Sequence, residues 1–184
     1  MDRKYFLRSL VPFVYVAINR DSLDIKNSTV EKCKTKRDAE GPFYKSGAPA
    51  RSIIETEGDP ITIEGRVLTG EDCSIAVAGA VVDVWHCDNH GDYDMQGYKG
   101  RGQVKTTKDG SYSFTTILPP PYGSRPRHIH FKVRAEGQRE LTTQLYFQGD
   151  PNIQNDFARN AEKDRIIALQ SENELKKGVF NIYM

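Results

Sequence analysis

Short runs of alternating or β-branched residues, separated by turn signals, recur along this chain from residue 61 onward. Successive side chains of a strand point to opposite faces of a sheet, so an alternating run predicts a strand with one buried face. The turn at residues 108–110 carries Asp-Gly, which is typical of a tight hairpin. The series predicts an all-β, two-sheet β-sandwich, in which only Phe157–Gln170 could hold a helix. The predicted strands are Ile61–Leu68, Ala80–His86, Ser111–Thr116, His128–Ala135, Leu141–Phe147 and Val179–Met184.

The composition suits one globular domain. At 184 residues, the chain is long enough to bury a core of its own. Its formal net charge is +1, which gives no reason to expect nucleic acid or an anionic surface as a partner. No apolar run reaches the roughly 18 residues that a membrane-spanning helix needs. The composition leaves the oligomeric state open, with a homo-oligomer among the alternatives.

The first 30 residues differ from the rest, so we divide the chain into an N-terminal segment, residues 1–30, and a domain, residues 31–184. In the segment, the basic stretch Asp2–Arg8 precedes the short apolar run Leu10–Ile18. This order is the pattern of a secretory signal, although Pro12 interrupts the run and no cleavage site of small residues follows it. We therefore keep two interpretations: export to the periplasm or the medium, or a cytoplasmic protein whose N-terminal arm packs on the domain.

A histidine pair in the segment Arg125–Phe131, which reads Arg-Pro-Arg-His-Ile-His-Phe, is the main chemical signal. His128 and His130 are two residues apart, so on a strand both imidazoles point to the same face. Neighbouring imidazoles are a natural pair of metal ligands. Taken alone, a His-x-His pair is a weak signal, because ordinary surface and core histidines show the same spacing.

Three more segments accompany the histidine pair: Val81–Tyr93, Thr106–Tyr122 with its triple proline, and Leu141–Pro151. Together the four segments resemble the intradiol ring-cleavage dioxygenases, which are non-haem Fe(III) enzymes, over about residues 39–184. Glu40–Tyr44 resembles the motif that opens the domain of that family. The resemblance implies a prealbumin-like β-sandwich whose loops carry a site for Fe(3+). The implied metal ligands are Tyr93, Tyr122, His128 and His130.

The same resemblance implies a reaction. A catechol-type aromatic diol would be cleaved between its hydroxyls with O2, giving a cis,cis-muconate-type dicarboxylate. Tyr122 would leave the metal when the diol binds and accept one of its protons. Arg125 would stabilise negative charge on the ring, with a surface salt bridge as the alternative role. Gln144 would lie near the iron, where a purely structural hydrogen bond is the alternative.

The residue types of the implied quartet agree with that chemistry. Fe(III) is a hard ion, which suits phenolate oxygen and imidazole nitrogen better than thiolate sulfur. A metal cation would also favour the deprotonated form of a tyrosine, whose ordinary pKa is about 10. The sequence departs from the family in having Pro120 and Pro121 before the second tyrosine and only Gly123-Ser124 between Tyr122 and Arg125.

The three cysteines, Cys33, Cys73 and Cys87, leave at least one thiol without a partner in the chain. Short, exported members of the resembled family often carry a cysteine pair at the positions of Cys73 and Cys87. The resemblance therefore implies a Cys73–Cys87 disulfide if the protein is exported. Two buried thiols are the alternative.

Other residues and other functions have weaker support. We interpret Trp85 and Tyr112 as core residues, and His86 and His90 as surface residues or residues behind the site. A non-catalytic transthyretin-like or carbohydrate-binding module is an alternative, because the Asp-Gly-x-Tyr-x-Phe pattern occurs there too. Such modules lack the two tyrosines and two histidines, which favours the enzyme. Zinc rarely binds two tyrosines, which disfavours a zinc hydrolase.

Overall fold

The computed structural model of the protein describes residues 33–161, 163–172 and 175–184. This part of the chain forms two sheets, of six and five strands, which confirms the predicted all-β sandwich. The strands are β1 (Pro60–Thr69), β2 (Ile75–Ala76), β3 (Val81–Trp85), β4 (Arg101–Lys105), β5 (Ser111–Ile117), β6 (His128–Arg134), β7 (Leu141–Phe147), β8 (Ile166–Ile167), β9 (Gln170–Glu172), β10 (Leu175–Val179) and β11 (Ile182–Tyr183). The interpretations of residues 1–30 lie outside the described residues and stay predictions.

The first sheet is built around β1, which has ten residues. Strand β5 pairs with it antiparallel, and β10 and β11 pair with it in parallel. Strand β2 joins near the end of β1, and β9 pairs with β10. Gly65 lets the chain between β10 and β11 pass close to β1, since a Cβ atom there would lie 1.9 Å from the carbonyl oxygen of Phe180.

The second sheet has the order β4-β3-β6-β7-β8 and is buried on both faces at its centre. Six of the seven residues of β6 and all seven of β7 are buried. Because side chains alternate, one face carries apolar residues of the sandwich core and the other carries polar residues. The polar face can be buried only because loops cover it. The core face includes Val82, Val84, Ile129, Phe131, Val133 and Leu145, and the polar face includes Asp83, His128, His130, Lys132 and Gln144.

The Asp-Gly turn at residues 108–110 does not close a hairpin, so that prediction is wrong. Strand β4 pairs with β3 in the second sheet, whereas β5 pairs with β1 in the first. The turn therefore carries the chain across the sandwich. It is sharp, as Asp-Gly requires: Gly110 has a φ of +80°, and its N–H donates to the carbonyl of Thr107.

Two further differences concern the last 30 residues. Phe157–Gln170, the one stretch that could hold a helix, contains no α-helix in its described residues; it holds the 3-10 helices Phe157–Asn160 and Lys163–Arg165, followed by β8. A third 3-10 helix, Pro151–Asn155, precedes them. The predicted last strand is divided between the end of β10 and β11. No helix in the described ranges is long and apolar enough to cross a membrane.

The cysteine pairing expected from the family resemblance is wrong. Cys33 and Cys73 form the disulfide, with their Cα atoms 5.4 Å apart, and Cys87 is free and buried. Cys73 lies in the turn between β1 and β2, whereas Cys33 precedes a segment that runs to β11, where the N–H of Thr35 donates to the carbonyl of Tyr183 at 3.0 Å. The bond therefore ties the start of the domain to a turn that is 40 residues away in sequence.

Peptide mapping without reduction should recover Cys33 linked to Cys73 and Cys87 as a thiol. Cys33→Ser should lower the free energy of unfolding by about 2–4 kcal/mol, because it opens a long loop that the bond closes. The double variant Cys33→Ser/Cys73→Ser is the matched control and should lose no more than the single variant. A peptide that links Cys73 to Cys87 would contradict the pairing.

Candidate functional site

The two tyrosines and two histidines predicted as ligands come together on the polar face of the second sheet. Tyr93 lies in the loop after β3, Tyr122 in the proline-rich segment after β5, and His128 and His130 on β6. The phenol oxygen of Tyr93 lies 3.2 Å from Nε2 of His128. The ring centroids of Tyr93 and Tyr122 are 5.4 Å apart, and those of the two histidines 4.9 Å. Three separate elements thus supply one cluster of oxygen and nitrogen donors.

The protonation of His128 follows from its hydrogen bonds. Its Nδ1 lies 2.7 Å from the carbonyl oxygen of Pro126, which can only accept, so Nδ1 must carry the proton. Nε2 therefore presents its lone pair toward Tyr93. Burial lowers the pKa of His128 to about 4, against the opposing effect of the Pro126 carbonyl. At neutral pH the ring is neutral, which is the form that binds a metal.

His130 is held mainly by packing. Its ring stacks on Trp85, with centroids 4.8 Å apart and an interplanar angle of 8°. Gly41 lies close to the ring of His130, since a Cβ atom at Gly41 would be 3.6 Å from Cε1 of His130. Burial, and next His128, lower the pKa of His130 well below its usual value. Its Nδ1 is buried and makes no hydrogen bond of ordinary geometry within the described ranges.

The segment Glu40–Tyr44, which the family resemblance singled out, forms one wall of the site. Phe43 stacks on Tyr93 with centroids 4.4 Å apart and meets Tyr122 edge-on at 5.5 Å. Tyr44 packs against Trp85 at 4.9 Å. Phe43 covers one face of the Tyr93 ring, and burial raises the pKa of Tyr93 well above its ordinary value.

Tyr122 is placed by a tight turn. The N–H of Arg125 donates to its carbonyl at 2.9 Å, and Gly123 between them has a φ of +58°. The three prolines before Tyr122, residues 119–121, have fixed φ angles and stiffen the approach to this turn. The short Gly123-Ser124 connection thus sets the distance between a candidate ligand and a candidate catalytic arginine.

The residues present fit a hard metal ion. Two donors 3.2 Å apart, Tyr93 Oη and His128 Nε2, can share one ion, since metal bonds of about 2.0–2.2 Å place neighbouring donors about 3 Å apart. Both histidines are neutral, and the oxygen donors are phenols. No group of three or more His, Cys, Asp or Glu residues in the described ranges could hold a metal, so tyrosine oxygen would be required for a site here.

Gln144 and Arg125, the other predicted site residues, adjoin the histidines. Gln144 pairs with His130 in the register of β6 and β7. Its Oε1 accepts from Nη2 of Arg125 at 3.1 Å, while its Nε2 donates to the carbonyl of Ala39 at 2.6 Å. Arg125 also forms an ion pair with Asp156, with Nε 3.2 Å from Oδ2. The arginine is thus in a salt bridge, as the alternative interpretation held, but in a partly buried one beside the site.

Sequence reasoning missed the acidic residues and the tyrosine that support Arg125. Tyr146 donates to the carboxylate of Asp38 at 3.0 Å, and Asp38 pairs with Arg165. Nη2 of Arg125 lies 3.4 Å from the Tyr146 oxygen. Asp38 and Asp156 are separated by more than 100 residues, and no periodic pattern joins them. The one signal was the position of Asp38, directly before the region that resembles the family.

The remaining residues behave in different ways. His86 is buried, which contradicts a surface position: its Nε2 lies 2.6 Å from the hydroxyl of Thr116 in the first sheet. His90 is exposed, as expected. Tyr112 is buried in the core and donates to the carbonyl of Phe180 at 2.6 Å. A surface cavity of about 750 Å³ lies elsewhere, lined in part by residues of β1, β4 and β5, and none of the six predicted site residues lines it.

Comparisons with known proteins agree with this geometry. A family model described as Dioxygenase matches residues 39–182. Catechol 1,2-dioxygenase 1 of Acinetobacter lwoffii is 35% identical over 85% of this chain and 60% of its own length. Chlorocatechol 1,2-dioxygenase of Rhodococcus opacus is 32% identical over 71% of this chain and 63% of its own. The chain therefore spans about three fifths of the length of these curated relatives.

Among solved structures, the dioxygenase domain of a dioxygenase and carbohydrate-binding protein fusion from Streptomyces sp. SirexAA-E is 35% identical, with a TM-score of 0.76. The match covers 82% of this chain and 97% of that domain. The family model spans most of the sandwich and all six predicted site residues. The chain therefore belongs to the intradiol dioxygenase family.

Proposed function

We propose that this chain is a ferric intradiol dioxygenase. It would cleave a catechol-type aromatic diol between its hydroxyl-bearing carbons and add both atoms of O2, giving a cis,cis-muconate-type dicarboxylate. The observation that carries the proposal is the contact between Tyr93 and the bare Nε2 of His128. The names of the relatives, catechol and chlorocatechol 1,2-dioxygenases, support the substrate class. The match to almost the whole of an isolated dioxygenase domain supports a catalytic unit of this size.

The proposed cofactor is Fe(3+), held by Tyr93, Tyr122, His128 and His130. When bound, the iron would supply the Lewis acidity that activates the diol toward O2. The two phenol oxygens and two neutral imidazole nitrogens suit a hard cation. The stacking of Trp85 and the Pro126 carbonyl keep the imidazoles in fixed orientations, which is the usual role of groups behind metal ligands.

The chain's own residues would divide the remaining work. Tyr122 is partly buried, and its oxygen, as the phenolate, would receive a proton from the diol. Arg125 would stabilise negative charge on the ring: Asp156 and Gln144 hold its Nε and Nη2, whereas its Nη1 makes no hydrogen bond within the described residues. Gln144 would then act by fixing the arginine. Phe43 would exclude water from the ring of Tyr93.

The proposed setting is an oxidising compartment. Disulfides persist in exported proteins and are rare in the reducing cytosol. The Cys33–Cys73 bond therefore supports the export interpretation of the N-terminal segment over the cytoplasmic one. The non-catalytic module has no support from the relatives considered above, because each is named as a dioxygenase.

Iron-loaded protein should be reddish, because two phenolates on Fe(III) give charge-transfer absorption in the visible range. Tyr93→Phe should lose much of that band and bind less iron. Tyr183→Phe is the matched control: it removes a phenol oxygen from β11, far from the cluster, and should leave the band unchanged. Protein that stays colourless with iron, or that prefers zinc, would overturn the site.

Tyr122→Phe tests the proton acceptor. It should keep much of the iron, because three ligands remain, but it should bind catechol slowly and turn over roughly 10²–10⁴-fold less well. His128→Ala or His130→Ala should instead lose the metal. The wild-type product should be the muconate. A semialdehyde from cleavage outside the two hydroxyls, or full turnover by Tyr122→Phe, would contradict the assignment.

A further inference from the structure

Arg101, at the start of β4, has an unusual environment for an arginine. Its side chain is buried, with the residue 1% exposed, and no carboxylate among the described residues lies at ion-pair distance. Its Nη1 is buried without a hydrogen-bond partner in the same part of the chain. Burying a guanidinium without a paired carboxylate opposes folding. A residue with this cost calls for a role other than stability.

The hydrogen bonds of Arg101 lead to the loop that carries Tyr93. Its Nε donates to the carbonyl of Asp94, the next residue after Tyr93, at 3.0 Å. Its Nη2 lies 3.3 Å from the sulfur of Met95, and its backbone N–H donates to the carbonyl of Tyr98 at 3.2 Å. Arg101 therefore hydrogen-bonds to both ends of the segment 94–98 and joins that segment to the second sheet.

Hydrogen bonds within and around the segment 94–98 hold it together, so it can move or stay fixed as a rigid unit. The carboxylate of Asp94 accepts from three backbone N–H groups at 2.7–2.9 Å, those of Gln96, Gly97 and Lys99. On the outer side, the ammonium of Lys45 lies 2.7–3.2 Å from three carbonyl oxygens, those of Met95, Gln96 and Gly97. Arg101 joins this piece to the buried interior directly beside Tyr93.

The position of Arg101 also relates Tyr93 to the histidines. In the register of the sheet, Trp85 of β3 lies between Arg101 of β4 and His130 of β6. The three side chains form one row across the polar face. The same row contains the three buried side-chain polar atoms without hydrogen-bond partners in the described ranges: Arg101 Nη1, Trp85 Nε1 and His130 Nδ1. Unsatisfied buried groups are rare and gather at functional sites.

We propose that Arg101 is a positioning residue. It fixes the loop after Tyr93 relative to β6, so that the Tyr93 oxygen and the His130 nitrogen can bind one metal. The inference rests on the proposed function. Arg101 touches neither the metal nor the substrate and acts through Tyr93. The burial of its guanidinium without a carboxylate partner lowers the stability of the fold, and in return it fixes the geometry of the site.

This role predicts that stability and metal binding respond in opposite directions. Replacing a buried, unpaired charge by an apolar side chain of similar volume is often neutral or stabilising. Arg101→Met should therefore leave the unfolding midpoint of iron-free protein unchanged or higher. It should lower the affinity for ferric iron by about 10–100-fold, the usual effect of losing a group behind the ligands. The charge-transfer band of Tyr93 should weaken or shift in the same variant.

Two further variants sharpen the test. Arg101→Lys keeps the charge but cannot reach Asp94 and Met95 together, so its iron affinity should lie between those of Arg101→Met and wild type. Arg66→Met is the matched control, because Nε of Arg66 also donates to a loop carbonyl, that of Asp109 at 2.9 Å, but on the first sheet. It should keep the wild-type affinity and band.

The outcomes separate this inference from the proposed function. Wild-type protein that binds no iron would overturn both. A coloured wild type with an equally coloured and equally tight Arg101→Met would overturn the inference alone. Parallel loss of stability and iron by Arg101→Met would indicate a merely structural arginine and would also overturn it. If Arg101→Met does not fold, wild-type affinity in Arg101→Lys is the contradicting result.

Discussion

The structure depends on burying a polar strand face. Strand β6 presents Ile129, Phe131 and Val133 to the sandwich core, and it presents the two histidines to the other side of the sheet. Polar groups can be buried only if they find partners. The segment before β6 supplies one, the Pro126 carbonyl, which accepts from His128. His130 instead stacks on Trp85 of β3, and its Nδ1 makes no hydrogen bond within the described residues. The site is thus a consequence of how the sheet is covered.

The loops that cover the polar face of the second sheet are held in place by charged groups at two ends. At one end, Asp38 and Asp156 hold Arg165 and Arg125, with Tyr146 and Gln144 between them. At the other end, the loop of Tyr93 is fastened from inside by Arg101 and from outside by Lys45. The Cys33–Cys73 bond secures the segment that leads into Asp38. Rigid support of this kind is what a metal site needs in order to keep its ligands in place.

The sequence predicted the parts of the site that follow a period and missed the parts that depend on contacts across the fold. His128 and His130 share a face because residues two apart on a strand must do so. Tyr93 and Tyr122 lie in irregular segments, so only the family resemblance could single them out. The family resemblance did not point to Arg101. Its strand, β4, was not predicted either, because Arg-Gly-Gln-Val-Lys lacks an alternating pattern.

Local signals failed wherever the partner was chosen by the fold. Asp109-Gly110 predicted a sharp turn correctly, but the strands on its two sides belong to different sheets. Cys73 pairs with Cys33 because the segment after Cys33 runs to β11, a path that no nearby residue specifies. The family resemblance pointed to Cys87, which the fold places under the Pro120 carbonyl as a buried thiol.

The central claim is that donors from three elements meet at one iron. Anomalous diffraction from crystals of the iron-loaded protein, measured on both sides of the iron absorption edge, tests it most directly. The account predicts one strong iron peak, bonded to the phenol oxygens of Tyr93 and Tyr122 and to the imidazole nitrogens of His128 and His130. An iron peak elsewhere, or none at this cluster in protein that turns over catechol, would contradict it.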